Sequence, residues 1–348
     1  MGKTVIVTGA NGMIGNAVAR AFVRAGWTAF GLVRKESAVE ALAADEIRPL
    51  LGSPSDLCFL EKLHATTKTL DVIVSVTEDL NNYLPHFEDT MNLIRTLSVT
   101  SNQEGTRPLV LFTSGCKDYG MSSSLHGSPG LEPHTEESPI KAPEMLRPRA
   151  ENAPKVFEYP ELFDGAVLRP TTIYGLSGSY YGILFDFAEE AAKGGILIFS
   201  APPTSILHGC HVDDCAEAYV ALAEHEDRQA VAGQCFNISG RQYETLEHVA
   251  NSLVKEYDIS GGVKFVESTP NDAVELDNLV IKFPQWVSSD KIRKLTGWED
   301  KRPLFTEGVH VYRASFEALA ARGDQNVART RGMVQMLRTQ KGPSSRSA

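Results

Sequence analysis

The sequence predicts an α/β fold: a doubly wound parallel sheet with a smaller C-terminal lobe. Three observations lead there. Short β-branched runs alternate with amphipathic stretches through the first half of the chain, as strands joined by helical crossovers do. A glycine-rich turn, Thr8-Gly9-Ala10-Asn11-Gly12-Met13-Ile14-Gly15, closes the first run and opens the first amphipathic stretch. The length, 348 residues, suits one large core plus a lobe.

Taken in order, strands are expected at Lys3–Val7, Thr28–Val33, Ile47–Leu50, Asp71–Val76, Leu109–Thr113 and Gly165–Arg169. Between them Met13–Ala25 and Leu84–Ser101 read as helices, and Asp56 is placed to cap a helix through Leu57, Leu60 and Leu63. Ser122–Pro160 is rich in Ser, Gly and Pro and reads as a long loop with one helix after Pro148. Beyond it come helices at Tyr181–Lys193, Val212–Glu224, Leu246–Tyr257, Ser289–Thr296 and Thr306–Arg322. Strands fall at Ile196–Phe199, Gln234–Ile238 and Val263–Val266. Residues 1–174 thus form a nucleotide-binding domain to which about 208–240 return, 175–322 mainly a substrate lobe, and 323–348 a basic tail read as disordered or loosely helical.

Composition narrows the function. With 34 basic against 44 acidic side chains the net charge is −10, which disfavours nucleic acid and anionic membranes as partners. The start, MGKTVIVTGA, lacks the layout of a secretory signal, and Gly, Asp or Arg interrupts every apolar run. The cysteines, Cys58, Cys116, Cys210, Cys215 and Cys235, are scattered without a CxxC pair. They read as reduced thiols of a cytoplasmic protein.

Each glycine of the turn has its own task. Gly9 permits the tight bend, Gly12 lets the backbone approach a diphosphate, and Gly15 lets the helix sit close to the sheet. The free amides at the helix start, from Asn11 through Met13 and Ile14, complete a phosphate cradle, so the turn predicts a Rossmann dinucleotide site. A site for NAD usually ends the second strand with Asp or Glu; here that strand ends in Val33-Arg34-Lys35, and Arg34 lies 19 residues past Gly15. Two cations suit the 2′-phosphate of NADP(H), although strand-end basic residues are also commonly just solvated.

With these residues the chain resembles the extended short-chain dehydrogenase/reductases, the epimerase/dehydratase-like group. The resemblance runs through TGANGMIG, Asp56-Leu57, LVLFTSG, Leu168 to Gly175, His211-Val212-Asp213-Asp214 and Phe236-Asn237-Ile238-Ser239 to Lys294-Leu295-Thr296-Gly297-Trp298, about residues 1–320. It implies that Asp56 and Leu57 frame the adenine, that Val76 and Thr77 pass under the adenosine ribose, and that Pro170, Thr171 and Ile173 wall the nicotinamide, with Thr113 at the end of the fifth strand.

The chain departs from that family at the chemistry. The usual Tyr-x-x-x-Lys pair is missing from its window, where Met145 and Arg149 stand at the two places, and the usual serine falls on Gly115, beside Ser114. Instead, Gly115-Cys116-Lys117-Asp118-Tyr119 is similar to the Gly-x-Lys-x-Tyr motif of the progesterone 5β-reductase and iridoid synthase branch. That resemblance implies Lys117 beside the nicotinamide as proton donor or polarising group, Ser114 as a substrate hydrogen bond, and Arg149 as a ribose or anion clamp. Lys117 as an exposed loop lysine is the plainer alternative.

Tyr180, Tyr181 and His208 are expected along the substrate pocket, with core packing or a structural hydrogen bond as the alternatives. His208, Cys210, His211, Asp213 and Asp214 lack the separated second ligand pair of a zinc site, so no metal is expected. The leading reading is an NADP(H)-dependent oxidoreductase, a reductase or dehydrogenase acting on a small organic carbonyl or enone. A non-redox isomerase, cyclase or lyase on the same fold, or an inactive NADP-binding protein, stands as the alternative. A homodimer is left open.

Overall fold

A computed structural model describes residues 2–176, 179–267 and 281–339. Seven strands form its main sheet: β1 (Thr4–Thr8), β2 (Thr28–Val33), β3 (Arg48–Leu51), β4 (Val72–Ser75), β5 (Leu109–Thr113), β6 (Asp164–Pro170) and β11 (Gln234–Ile238). All pair in parallel, in the order β11-β6-β5-β4-β1-β2-β3. The chain starts in the middle, winds out to β3 and crosses back to β4 on the other side of β1. The loops that leave β1 and β4 therefore diverge, opening a crevice at the carboxyl ends of the strands.

The strands are apolar on both faces, and alternate residues feed two cores. Val5, Val7, Leu109 and Leu111 pack with α1 (Met13–Arg24) and α7 (Val212–Ala223). Ile6, Val110 and Phe112 face Phe87, Met91 and Ile94 of α4 (Tyr83–Gln103) on the other side. Burial of each such side chain contributes roughly 1.5–3 kcal/mol. Shorter crossovers, α2 (Val39–Ala44) and α3 (Leu60–His64), flank β3.

Thr171 ends β6 by donating its amide to the Ile238 carbonyl, and the chain leaves the sheet at once as β7 (Thr172–Tyr174). This strand, not expected from the sequence, pairs with β10 (Gly209–His211). Two more pairs shape the lobe, β8 (Leu197–Phe199) with β13 (Val263–Phe265) and β9 (Ile206–Leu207) with β12 (Glu244–Thr245). An aromatic core of Tyr174, Tyr181, Phe305 and Phe316 holds them to α6 (Gly182–Gly194), α8 (Leu246–Glu256) and α10 (Val309–Ala321). The short α9 (Asp290–Thr296) returns to the main sheet beside β11.

Differences from the sequence reading have local causes. The helix expected after Pro148 is α5 (Arg147–Asn152), which starts one residue earlier because proline is tolerated in a first turn. The last long helix begins at Val309, not Thr306, because the Phe305 and Thr306 amides donate to the buried Glu244 carboxylate. The tail read as disordered or loosely helical begins with α11 (Gln325–Thr339); Val327 is buried in the lobe core and Arg331 pairs with Asp186. Among the described residues no helix is long and apolar enough to cross a membrane.

At Gly15, an added Cβ would lie 2.3 Å from the Gly9 carbonyl oxygen and 3.0 Å from a Val76 methyl. Gly15→Ala should therefore destabilise the fold by roughly 1–3 kcal/mol, measured by urea unfolding. Unchanged stability would mean that α1 can move away from the turn.

Candidate active site

The glycine turn is built as a cradle. Gly9 adopts φ +63°, and the Gly12 amide donates back to the Gly9 carbonyl at 2.8 Å. Gly12 then starts α1 with no side-chain cap, leaving the amides of Met13 and Ile14 to a ligand. Thr77, at the carboxyl end of β4, packs its methyl over Gly9, while its buried Oγ1 has no hydrogen-bond partner among the described residues. An unsatisfied hydroxyl in such a place costs about 1–3 kcal/mol, and a ribose hydroxyl would satisfy it. The donor set fits a dinucleotide.

Arg34 and Lys35 stand exposed at the end of β2, and neither has an ion-pair partner among the described residues. Asp56 accepts from the Cys58 amide at 3.1 Å and caps a short turn, with Leu57 half-buried beside it. Val76 and Thr77 follow β4, and Pro170, Thr171 and Ile173 are buried where β6 hands over to β7. Thr113 shares a hydrogen bond with Tyr219 at 2.8 Å.

After β5 the chain makes a tight turn, Cys116–Tyr119, in which Cys116, Asp118 and Tyr119 are buried. Asp118 points inward and has no exposure. It accepts a hydrogen bond from the Ser114 hydroxyl and from Arg149 Nε and Nη2 at 3.0 and 2.7 Å, with Arg169 at 3.9 Å. Arg149 also reaches Glu78 at 3.2 Å. Ser114 and Arg149, expected at the substrate and the ribose, are thus held by this carboxylate instead. The guanidinium lies 3.1–3.4 Å from the place a Cβ on Gly115 would occupy. Met145 is 46% exposed.

Lys117 points into a small cleft shared with Thr172, Tyr181, His208, Phe283 and Gln285. Its Nζ sits 4.4 Å from the centre of the Phe283 ring. Burial, with the Arg149 charge nearby, pulls its ammonium down to about 7. Gln285 fixes the turn by donating to the Cys116 and Gly120 carbonyls at 2.8 and 2.7 Å. Neither Phe283 nor Gln285 carries a sequence signal, whereas Asp118, inside the motif, could have been suspected opposite Arg149.

The other ionisable groups are occupied. His208 lines the cleft, and its two ring nitrogens face the Gly240 carbonyl at 3.0 Å and the Val287 amide at 3.2 Å. Burial holds it neutral, down to about 4. Tyr181 reaches the cleft but is 1% exposed and belongs to the lobe core. Tyr180 packs against the lobe core, and burial first and then Glu78 raise its phenol against the pull of Arg329 and Arg149. His211 caps α7 through Nδ1, Asp213 pairs with Arg20, and Asp214 with Arg302.

The model of the NAD dependent epimerase/dehydratase family matches residues 5–239. The uncharacterized protein YLL056C of Saccharomyces cerevisiae is 24% identical over 314 residues, 88% of this chain and 97% of the yeast protein. Solved structures with the same fold include a dTDP-glucose 4,6-dehydratase from Bacillus anthracis in complex with NAD, at TM-score 0.68 and 16% identity, covering 91% of this chain and 97% of that one. A UDP-glucose 4-epimerase from Thermotoga maritima with UDP-glucose gives 0.67 and 17%, covering 91% and 99%.

Removing the guanidinium would leave Asp118 with the Ser114 hydroxyl and, at 3.9 Å, Arg169. Arg149→Met should cost roughly 3–5 kcal/mol, the range for breaking a buried pair, read from the thermal or urea transition. A loss below about 1 kcal/mol, the value of an exposed pair, would show the carboxylate to be solvated.

Proposed function

The chain belongs to the NAD dependent epimerase/dehydratase family, and from that premise we propose that it is an NADP(H)-dependent reductase of a small carbonyl or enone. The observation that carries this reading is the placement of Lys117: a small cleft lined by Thr172, His208, Phe283 and Gln285 holds one amine able to exchange a proton near neutrality. Arg34 and Lys35, with no carboxylate at the end of β2, support NADP(H) over NAD(H). Gly12, Met13 and Ile14 would hold the diphosphate, and Thr77 a ribose hydroxyl.

When bound, NADPH supplies the hydride. The protein's part is to hold the substrate against Thr172, Phe283 and Tyr181 and to aim the Lys117 ammonium at its oxygen. As negative charge builds on that oxygen, the ammonium stabilises it and releases its proton. An acid of pKa about 7 is half protonated at neutral pH and is recharged from solvent. On this reading Met145 and Gly115 stand at the places of the family's tyrosine and serine and carry no proton. Ser114, Asp118 and Arg149 act behind the cleft as positioning residues that hold the turn of Lys117.

Lys117→Met keeps the length and removes the charge. kcat should fall by roughly 10²–10⁴, the range for a lost general acid, while NADPH affinity stays nearly unchanged. In the wild type, kcat/KM should decline above pH about 7 as the ammonium deprotonates, and the variant should lack that limb. Wild-type kinetics in the variant at every pH would sink the assignment.

Arg34→Asp replaces a phosphate fork by a repelling carboxylate. NADPH should bind about 10- to 150-fold more weakly, the worth of a charge-assisted contact, and NADH about as before. Equal losses for both dinucleotides, by titration calorimetry, would remove the NADP(H) reading.

A further inference from the structure

The C-terminal helix α11 belongs by packing to the lobe yet reaches across to the nucleotide-binding half. The residues that anchor it differ from those that reach across. Val327 and Thr330 are buried, Val327 in the lobe core, and Arg331 forks onto Asp186 of α6 at 2.6 and 3.0 Å while covering the Phe316 ring. Gln325, Asn326 and Arg329, spaced by three and four residues, lie along a different face.

That face meets the dinucleotide site at two points. Asn326 Nδ2 donates to the carbonyl oxygen of Asn11, inside the glycine turn, at 3.3 Å. Gln325 Nε2 donates to Ser37 Oγ, also at 3.3 Å, three residues past Arg34. Arg329, one turn farther on, is exposed and acts on the Tyr180 phenol beside Arg149 and Glu78. The helix therefore runs from the adenosine end of the crevice towards Tyr180. Asp324, the nearest acid, is turned back onto the helix start, accepting from the Asn326 and Val327 amides at 2.9 and 3.0 Å. What α11 shows to the crevice is two amides and a guanidinium, and no carboxylate.

We propose that α11 is a strap over the bound dinucleotide, with Gln325, Asn326 and Arg329 serving as donors to its phosphates. Both contacts to the nucleotide-binding half are long, neutral hydrogen bonds, whereas the contacts to the lobe are buried or bidentate. The strap thus opens at its Gln325 end and stays anchored at Val327 and Arg331. Phosphate oxygens are stronger acceptors than the Asn11 carbonyl or the Ser37 hydroxyl, so a dinucleotide draws the three donors onto itself and is released only when they let go.

This rests on the reading that a dinucleotide binds, and the test separates the two. In the full-length protein, the combined variant Gln325→Ala, Asn326→Ala and Arg329→Ala keeps Val327, Thr330 and Arg331, so the helix remains anchored. NADPH release, followed by its fluorescence in stopped flow, should speed up about tenfold or more, the loss expected for one charge-assisted and two neutral contacts. A release rate within twofold of wild type overturns the strap. Hydrogen exchange gives a second readout: amides of residues 325–331 should exchange more slowly with NADPH present, and equal exchange with and without it overturns the proposal. A wild-type protein that holds NADH and not NADPH overturns the NADP(H) reading, and the strap is then measured with NADH. One that binds neither overturns both.

Discussion

The Asp118 carboxylate, with no exposure to solvent, is the constraint around which the turn after β5 is arranged. A buried carboxylate left unpaired destabilises its surroundings. Two arginines from separate segments, Arg149 of α5 and Arg169 of β6, pair with it, and the hydroxyl of Ser114 donates to it. Those bonds tie the short α5 to the end of β5 and fix the direction of the turn between them. With Asp118 held inward, Lys117 beside it faces the cleft. Burial first, and then the charge of the same Arg149 guanidinium, pulls the Lys117 ammonium down. The buried pair thus bears on both the direction and the acidity of Lys117.

The two ends of the crevice use different physics. At the glycine turn recognition is by backbone, so what matters is the absence of side chains at Gly9, Gly12 and Gly15. At the cleft, side chains from three distant stretches converge: Lys117 after β5, Thr172 in β7, and Phe283 with Gln285 from the segment after β13. The hand-over at Thr171 brings the second into place, and the bonds from Gln285 to Cys116 and Gly120 hold the third.

Much of the fold was legible because local chemistry repeats across it. β2 and β5 match their expected limits end to end, since buried parallel strands read as apolar runs, and β11 does so although Gln234 and Asn237 interrupt it. The glycine turn was legible because strand, turn and helix adjoin in sequence. β7 was not, because a three-residue strand directly after another has no period of its own. The roles of Ser114 and Arg149 were not legible either: a residue 31 positions away claims the guanidinium, and sequence spacing does not reveal such a partner. That Asp118 is held inward while Lys117 faces the cleft follows from packing around the turn, which composition does not encode.

Gly115 and Arg149 are mechanically coupled. A Cβ at position 115 would lie 3.1–3.4 Å from the Arg149 guanidinium, so a side chain there makes the guanidinium give way by a few tenths of an ångström. Giving way loosens its hold on Asp118, which it reaches at 2.7 and 3.0 Å. A substitution at either position is therefore felt at the other, and their effects on stability do not add.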